Sequence, residues 1–176
     1  MMILLWLLVG VVGRLVIHIP DVTPLTSLAL LAPTAFSKRT ALFLMVGILV
    51  LSDLLLSFTA HYPVFGSWTF FSYTGWFVVL CVGFLFARKP SFTSSLFYTL
   101  FSALFFWVWT DFGTWAATSL YPHTASGLVE CFVMALPFLK YSVAGALVWT
   151  GVLMAVLKKS PRFASLTDPL LQGVVA

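Results

Sequence analysis

The sequence predicts an all-α membrane protein, a bundle of six transmembrane helices with both termini cytoplasmic. Three observations lead there. Of its 176 residues, 61% are hydrophobic and only 8% are charged, with a mean hydropathy of +1.09. Soluble domains average about 45–50% apolar and about 25% charged residues, so lipid must replace water over most of the exterior. Apolar runs recur along the chain, approaching the about 20 residues that a helix needs to cross a bilayer. The basic residues cluster at alternate ends of those runs, as topology signals do.

The same arithmetic excludes a disordered chain, a coiled coil and a secreted disulfide scaffold. Cys81 and Cys131 both sit inside apolar runs and read as thiols. A net charge of +4 could suggest nucleic acid. The basic residues lie beside apolar segments, however, so the bilayer is the expected partner and nucleic acid is not. Period-2 alternation is absent, which argues against a transmembrane barrel.

The first run, Met2–Ile19, lacks a basic leader and a small-x-small cleavage site, so it reads as a mature helix rather than a signal peptide. Its Gly10 and Gly13 suit close helix contact. The second, Pro24–Phe36, is short, and Pro24 and Pro33 predict an irregular or tilted helix. Ala41–Ala60, Thr69–Ala87 and Ser95–Thr114 follow as ordinary spans. Next, Thr124 is an N-cap candidate for a helix starting at Ala125, which Pro137 would end or kink. At that length it is either a lid or re-entrant helix or part of an ordinary loop. The sixth span is Leu139–Leu157, with Gly145 and Gly151 suited to close contacts. Residues 1–158 thus form one transmembrane domain, and 159–176 a short cytoplasmic tail.

Charge orients the bundle. Lys38 and Arg39 follow span two, Arg88 and Lys89 follow span four, and Lys158, Lys159 and Arg162 follow span six, which accounts for seven of the nine basic residues. The positive-inside rule places all of these ends in the cytoplasm. An even number of spans then puts both termini there.

The opposite ends carry the polar chemistry. His18, His61 and His123 all fall there, with Asp21 and Glu130 nearby. Asp53 lies roughly 18 Å along the third span at about 1.5 Å per residue, and Asp111 roughly 24 Å along the fifth. Buried carboxylates are costly in lipid, so such residues face the interior or a wet cavity. The outward half therefore reads as polar inside and the inward half as nearly pure hydrocarbon, which suggests a cavity open to the outside and argues against a channel.

Single residues have competing roles. Arg14 falls at about the height of Asp53, so the two form either a packing ion pair or part of a ligand pocket. Trp68, Tyr73, Trp115 and Tyr121 lie beside outer polar groups and suit stacking on a ring. Trp107 and Trp109 fit an interfacial belt or a lipid-facing position better. Cys81, among Val and Leu, reads as a small core residue. The three histidines show no close ligand spacing, and no nucleotide, hydrolase or metalloprotease motif occurs. No metal ligand, catalytic residue or cofactor is therefore assigned.

Four stretches carry a resemblance. They are Arg14-Leu-Val-Ile-His18-Ile-Pro-Asp-Val-Thr-Pro24, Leu51-Ser-Asp53-Leu-Leu-Leu, Thr110-Asp111-Phe-Gly-Thr-Trp115 and Leu120-Tyr-Pro-His123-Thr-Ala-Ser-Gly-Leu128. With the predicted topology, the chain resembles the substrate-binding S-components of energy-coupling-factor vitamin transporters. It is similar in particular to a bacterial group that includes solitary cobalamin transporters. The resemblance implies multi-pass residence in a bacterial inner membrane and capture of a vitamin-like solute from the periplasmic face. His18, Asp53 and Tyr73 match pocket positions, and Trp68, Asp111, Tyr121 and His123 complete the candidate substrate-binding set. The first helix offers only Gly10-Val-Val-Gly13-Arg14 where small residues four apart would serve docking, so coupling to an energising module stays open. No cysteine stands near Trp68 to Tyr73, so cobalamin, the first candidate substrate, would bind without a thiolate ligand.

The expected function is thus non-enzymatic uptake of a vitamin-like solute. The alternative is a polytopic membrane enzyme with a metal-assisted or acid–base site on the outer face. A third class is an assembly subunit whose polar residues only pack helices.

Overall fold

A computed structural model describes residues 1–16, 22–60 and 63–167. These form seven helices and, among the described residues, no strand. The helices are α1 (Met2–Val16), α2 (Leu25–Ala35), α3 (Lys38–Ala60), α4 (Ser67–Phe86), α5 (Phe92–Ala117), α6 (Ala125–Leu157) and α7 (Pro161–Thr167). Four of them, α3 to α6, are long and apolar enough to cross a bilayer, as in a multi-pass membrane protein. α1 and α2 are shorter apolar helices of 15 and 11 residues.

α2 is the hub. Every residue from Leu25 to Thr34 is buried, and the helix touches each of the other six. A helix apolar around its whole circumference belongs in a core. It stays regular through Pro33 rather than breaking, and the amide of Phe36 still donates to the carbonyl of Ala32 at 2.9 Å. The missing N–H of Pro33 frees the carbonyl of Ala29 from its helical donor. α4 packs close there, and a Cβ on Gly83 would lie 2.5 Å from the Leu30 carbonyl oxygen and 3.0 Å from that of Ala29.

Caps set the starts of the long helices. Ser37 Oγ accepts from the Thr40 amide at 3.2 Å, so α3 begins before Ala41. Ser91 Oγ accepts from the Ser94 amide at 3.1 Å while Ser94 Oγ accepts from the Ser91 amide at 2.9 Å, a capping box that starts α5 ahead of Ser95. Thr124 Oγ1 accepts from the Gly127 amide at 3.2 Å and caps α6 where expected.

α6 corrects the prediction at Pro137. The helix runs unbroken for 33 residues, so there is no separate lid or re-entrant piece before the last span. One proline removes one donor, and packing against a neighbouring helix absorbs that loss. Trp107 of α5 donates its indole N–H to the Ala135 carbonyl at 3.1 Å within this stretch. At about 1.5 Å per residue α6 is roughly 50 Å long, more than the about 40–45 Å of a whole bilayer, so it tilts or projects.

Two further expectations change. Gly10 does abut Ile48, where a Cβ would sit 2.7 Å from Cγ2, and Gly145 abuts Val22, but among the described residues nothing lies within 4 Å of a Cβ on Gly151. Cys81 is exposed on the outside of α4 rather than part of the core.

The half of the bundle that ends in Lys38, Arg88 and Lys158, called here the basic end, is not pure hydrocarbon. Ser27, Ser95, Thr99, Ser102 and Thr150 are buried there between α2, α5 and α6. Thr150 donates to Ser27 Oγ at 2.9 Å, and Ser27 donates to the Ala146 carbonyl at 2.9 Å. Thr99 and Thr150 lie 3.0 Å apart. Since the single hydroxyl hydrogen of Thr150 goes to Ser27, Thr99 must be the donor. Ser102 Oγ, buried one turn along α5, has no hydrogen-bond partner among the described residues.

Candidate functional site

The candidate site grows from one charged cluster. Arg14 lies near the end of α1 and Asp53 in the middle of α3, two helices that pack on each other. Arg14 Nη1 meets Asp53 Oδ1 at 2.6 Å, with side chains 23% and 14% exposed. The same nitrogen donates to Ser52 Oγ at 2.8 Å, and Tyr73 of α4 donates its hydroxyl to Asp53 Oδ2 at 2.7 Å. Ser52 in turn donates to the Leu49 carbonyl at 3.0 Å. Both carboxylate oxygens are thereby engaged, and the ion pair weighed from the sequence exists.

That cluster stands at the edge of a cavity. Arg14, Thr23, Thr26, Ser72, Trp76, Phe106 and Ser142 line a space of about 190 Å³. Trp76 and Phe106 stack beside it with ring centroids 3.8 Å apart. Gly75 makes that stack feasible, because a Cβ there would lie 2.9 Å from the Phe106 ring. A second space of about 140 Å³ shares Phe106 and Ser142 and adds Trp107, Thr110, Asp111 and Thr114. The two lobes thus meet at one aromatic ring and one hydroxyl. A guanidinium borders one lobe and a carboxylate the other, with aromatic faces between them.

The structure sorts the sequence candidates. Asp53 and Tyr73 come together at Arg14, and Asp111 lines the second lobe. Tyr121 and His123 line neither lobe, because both sit in the turn between α5 and α6. There His123 Nε2 lies 3.1 Å from the Thr118 carbonyl and its ring meets Trp115 edge-on at 5.7 Å. The Trp115 indole donates to the Pro122 carbonyl at 2.9 Å, so this group holds the turn. Desolvation, reinforced by Cys131, Glu130 and Asp111, raises the Tyr121 phenol above its ordinary pKa. Trp68 is exposed at the start of α4, with its ring over Gly66. His18, Asp21 and His61 lie outside the described residues.

Trp107 and Trp109 are bonded inward rather than forming a lipid-facing belt. Trp107 lines the second lobe, and Trp109 donates to Thr74 Oγ1 at 2.9 Å. Sequence reasoning missed Thr26, Ser72, Trp76, Phe106 and Ser142 as lining residues. Only a helical-face argument placing Thr110, Asp111 and Thr114 on one side of α5 could have pointed towards part of this wall.

Among the described residues no group of three or more His, Cys, Asp or Glu side chains gathers as metal ligands do. Residues 1–165 match the model of a family of unknown function (DUF6580). No curated protein matches the chain, and no solved structure does.

Proposed function

The chain belongs to the DUF6580 family, and from the site just described we propose that it is a membrane carrier component that captures a vitamin-like, ring-bearing solute. The observation that carries this proposal is the two-lobed cavity itself, where Arg14, Asp111 and several hydroxyls surround the Trp76–Phe106 stack. Sites for small organic molecules combine apolar and aromatic walls with a few convergent polar groups. An inorganic ion would instead call for clustered carboxylates or carbonyls.

The fuller proposal is six membrane crossings, with α1 and α2 completing the four long helices and both termini in the cytoplasm. The cavity then opens towards the periplasm of a bacterial inner membrane. Cobalamin is the first compound to test because of the sequence resemblance. Each lobe is smaller than the about 300–1,000 Å³ of usual ligand pockets, so the lobes must open for a corrinoid, and smaller ring vitamins or precursors fit them more easily.

The test is growth of a vitamin auxotroph that lacks its own inner-membrane importer. The protein should restore growth at low external vitamin, and Ser142→Phe, which fills the junction of the lobes, should abolish the rescue. Binding should also raise the melting temperature of the purified protein by mass action. If no vitamin does either, the carrier proposal fails.

A further inference from the structure

A cavity larger than either lobe lies at the other end of the molecule, away from the charged cluster. It is a groove of about 500 Å³ between the start of α5, the end of α6 and α7. Phe92, Leu96, Leu147, Met154 and Ala155 supply apolar walls. Four hydroxyls also border it, but the hydrogen of each is already committed. Ser91 donates to Ser94 Oγ (2.8 Å), Ser95 to the Phe92 carbonyl (2.6 Å), Thr150 to Ser27 and Thr167 to the Phe163 carbonyl (3.1 Å). The groove therefore offers an occupant little but hydrocarbon. Gly151 keeps it open, since among the described residues nothing lies within 4 Å of a Cβ built there. α7 forms the remaining wall and is fastened to the core by Phe163, which is only 5% exposed.

The rim is basic. Lys158 lines the groove itself, with Lys159 and Arg162 close behind, and Arg88 and Lys89 directly precede the lining residue Pro90. Against them the sequence sets Asp168, just after α7, while Asp53, Asp111 and Glu130 belong to the other half of the bundle. An apolar groove bordered by Lys158, with further basic residues next to its lining in sequence, at a membrane-spanning bundle's end, matches one chemistry. We propose that this groove seats an acyl chain of an anionic phospholipid, with Lys158 holding the phosphate.

Basic residues beside anionic lipid are each worth about five-fold in affinity, which sets the size of the expected preference. The full chain in neutral detergent is titrated with dioleoyl phosphatidylglycerol or dioleoyl phosphatidylcholine while its melting temperature is followed. Phosphatidylglycerol should raise the melting temperature saturably, at a concentration about five-fold lower than phosphatidylcholine requires. Lys158→Gln should erase that preference. Gly151→Leu should remove the saturable response to both lipids while leaving the melting temperature without lipid unchanged. Should Gly151→Leu fail to fold, Ala155→Leu, exposed on the same wall, makes the same test. Equal responses to the two lipids, a wild-type titration in the filled variant, or stabilisation by inorganic phosphate alone would overturn the proposal.

Discussion

Arg14 of α1 and Asp53 of α3 meet at 2.6 Å, and Tyr73 of α4 occupies the second oxygen of the same carboxylate. Three helices are thereby tied at one carboxylate, beside the wall of a cavity. The pair serves packing and also fixes where the guanidinium stands.

Asp53→Asn should therefore be costly to the fold. Removing one partner of a fully buried pair costs about 3–5 kcal/mol, and partial exposure here reduces that to about 2–3 kcal/mol. Arg14→Met combined with Asp53→Asn should recover most of the loss, because no charge is then stranded. Unfolding in detergent measures the first effect, and the auxotroph growth assay separates it from uptake. If the double variant recovers stability yet not growth, the guanidinium acts on the solute; recovery of both assigns the pair to packing alone.

Gly83→Ala should destabilise by about 1–3 kcal/mol, the usual cost of overpacking. The added methyl meets the backbone of α2, which cannot swing aside as a side chain would. Gly151→Ala provides the control, since its methyl enters open space and should leave the melting temperature unchanged.

Topology is open to chemical labelling. In a background carrying Cys81→Ser and Cys131→Ser, a cysteine at exposed His123 should react with an impermeant thiol reagent added outside intact cells. One at exposed Lys89 should react only after the membrane is opened. The reverse pattern would place the two-lobed cavity on the cytoplasmic side.

The basic-half hydroxyls should behave as a unit. Thr150→Val removes the acceptor of Thr99 and the donor to Ser27, at a cost of about 0.5–1.5 kcal/mol. Adding Thr99→Val should cost less than its own single change, because the stranded donor goes too. A double-mutant cycle on unfolding free energies reads the coupling, and strict additivity would show that the hydroxyls act separately.

Much of the helical layout is legible in the sequence. Apolar runs and cap residues such as Thr124 locate helices, because lipid demands a closed helical backbone and caps mark its ends. Pro137 misled, since proline terminates a lone helix but not one braced by a partner such as Trp107. The charged cluster could be weighed because Arg14 and Asp53 sit at one height. The rest of the cavity could not: Thr26, Ser72 and Ser142 look like any hydroxyls in apolar helices, and only tertiary packing tells which face inward. Cys81 failed for the same reason, as an apolar neighbourhood in sequence does not separate core from lipid.

The row of hydroxyls from Thr99 through Thr150 and Ser27 to the Ala146 carbonyl has a direction, because it ends on an oxygen that can only accept. It cannot reverse, and sliding α2 one turn along α6 would break the two links that Ser27 makes. These links tie α2 and α5 to α6, whereas α1 and α3 pack chiefly on each other and on α2. The Arg14–Asp53–Tyr73 contact then bolts that outer pair to α4, at the border of the first lobe.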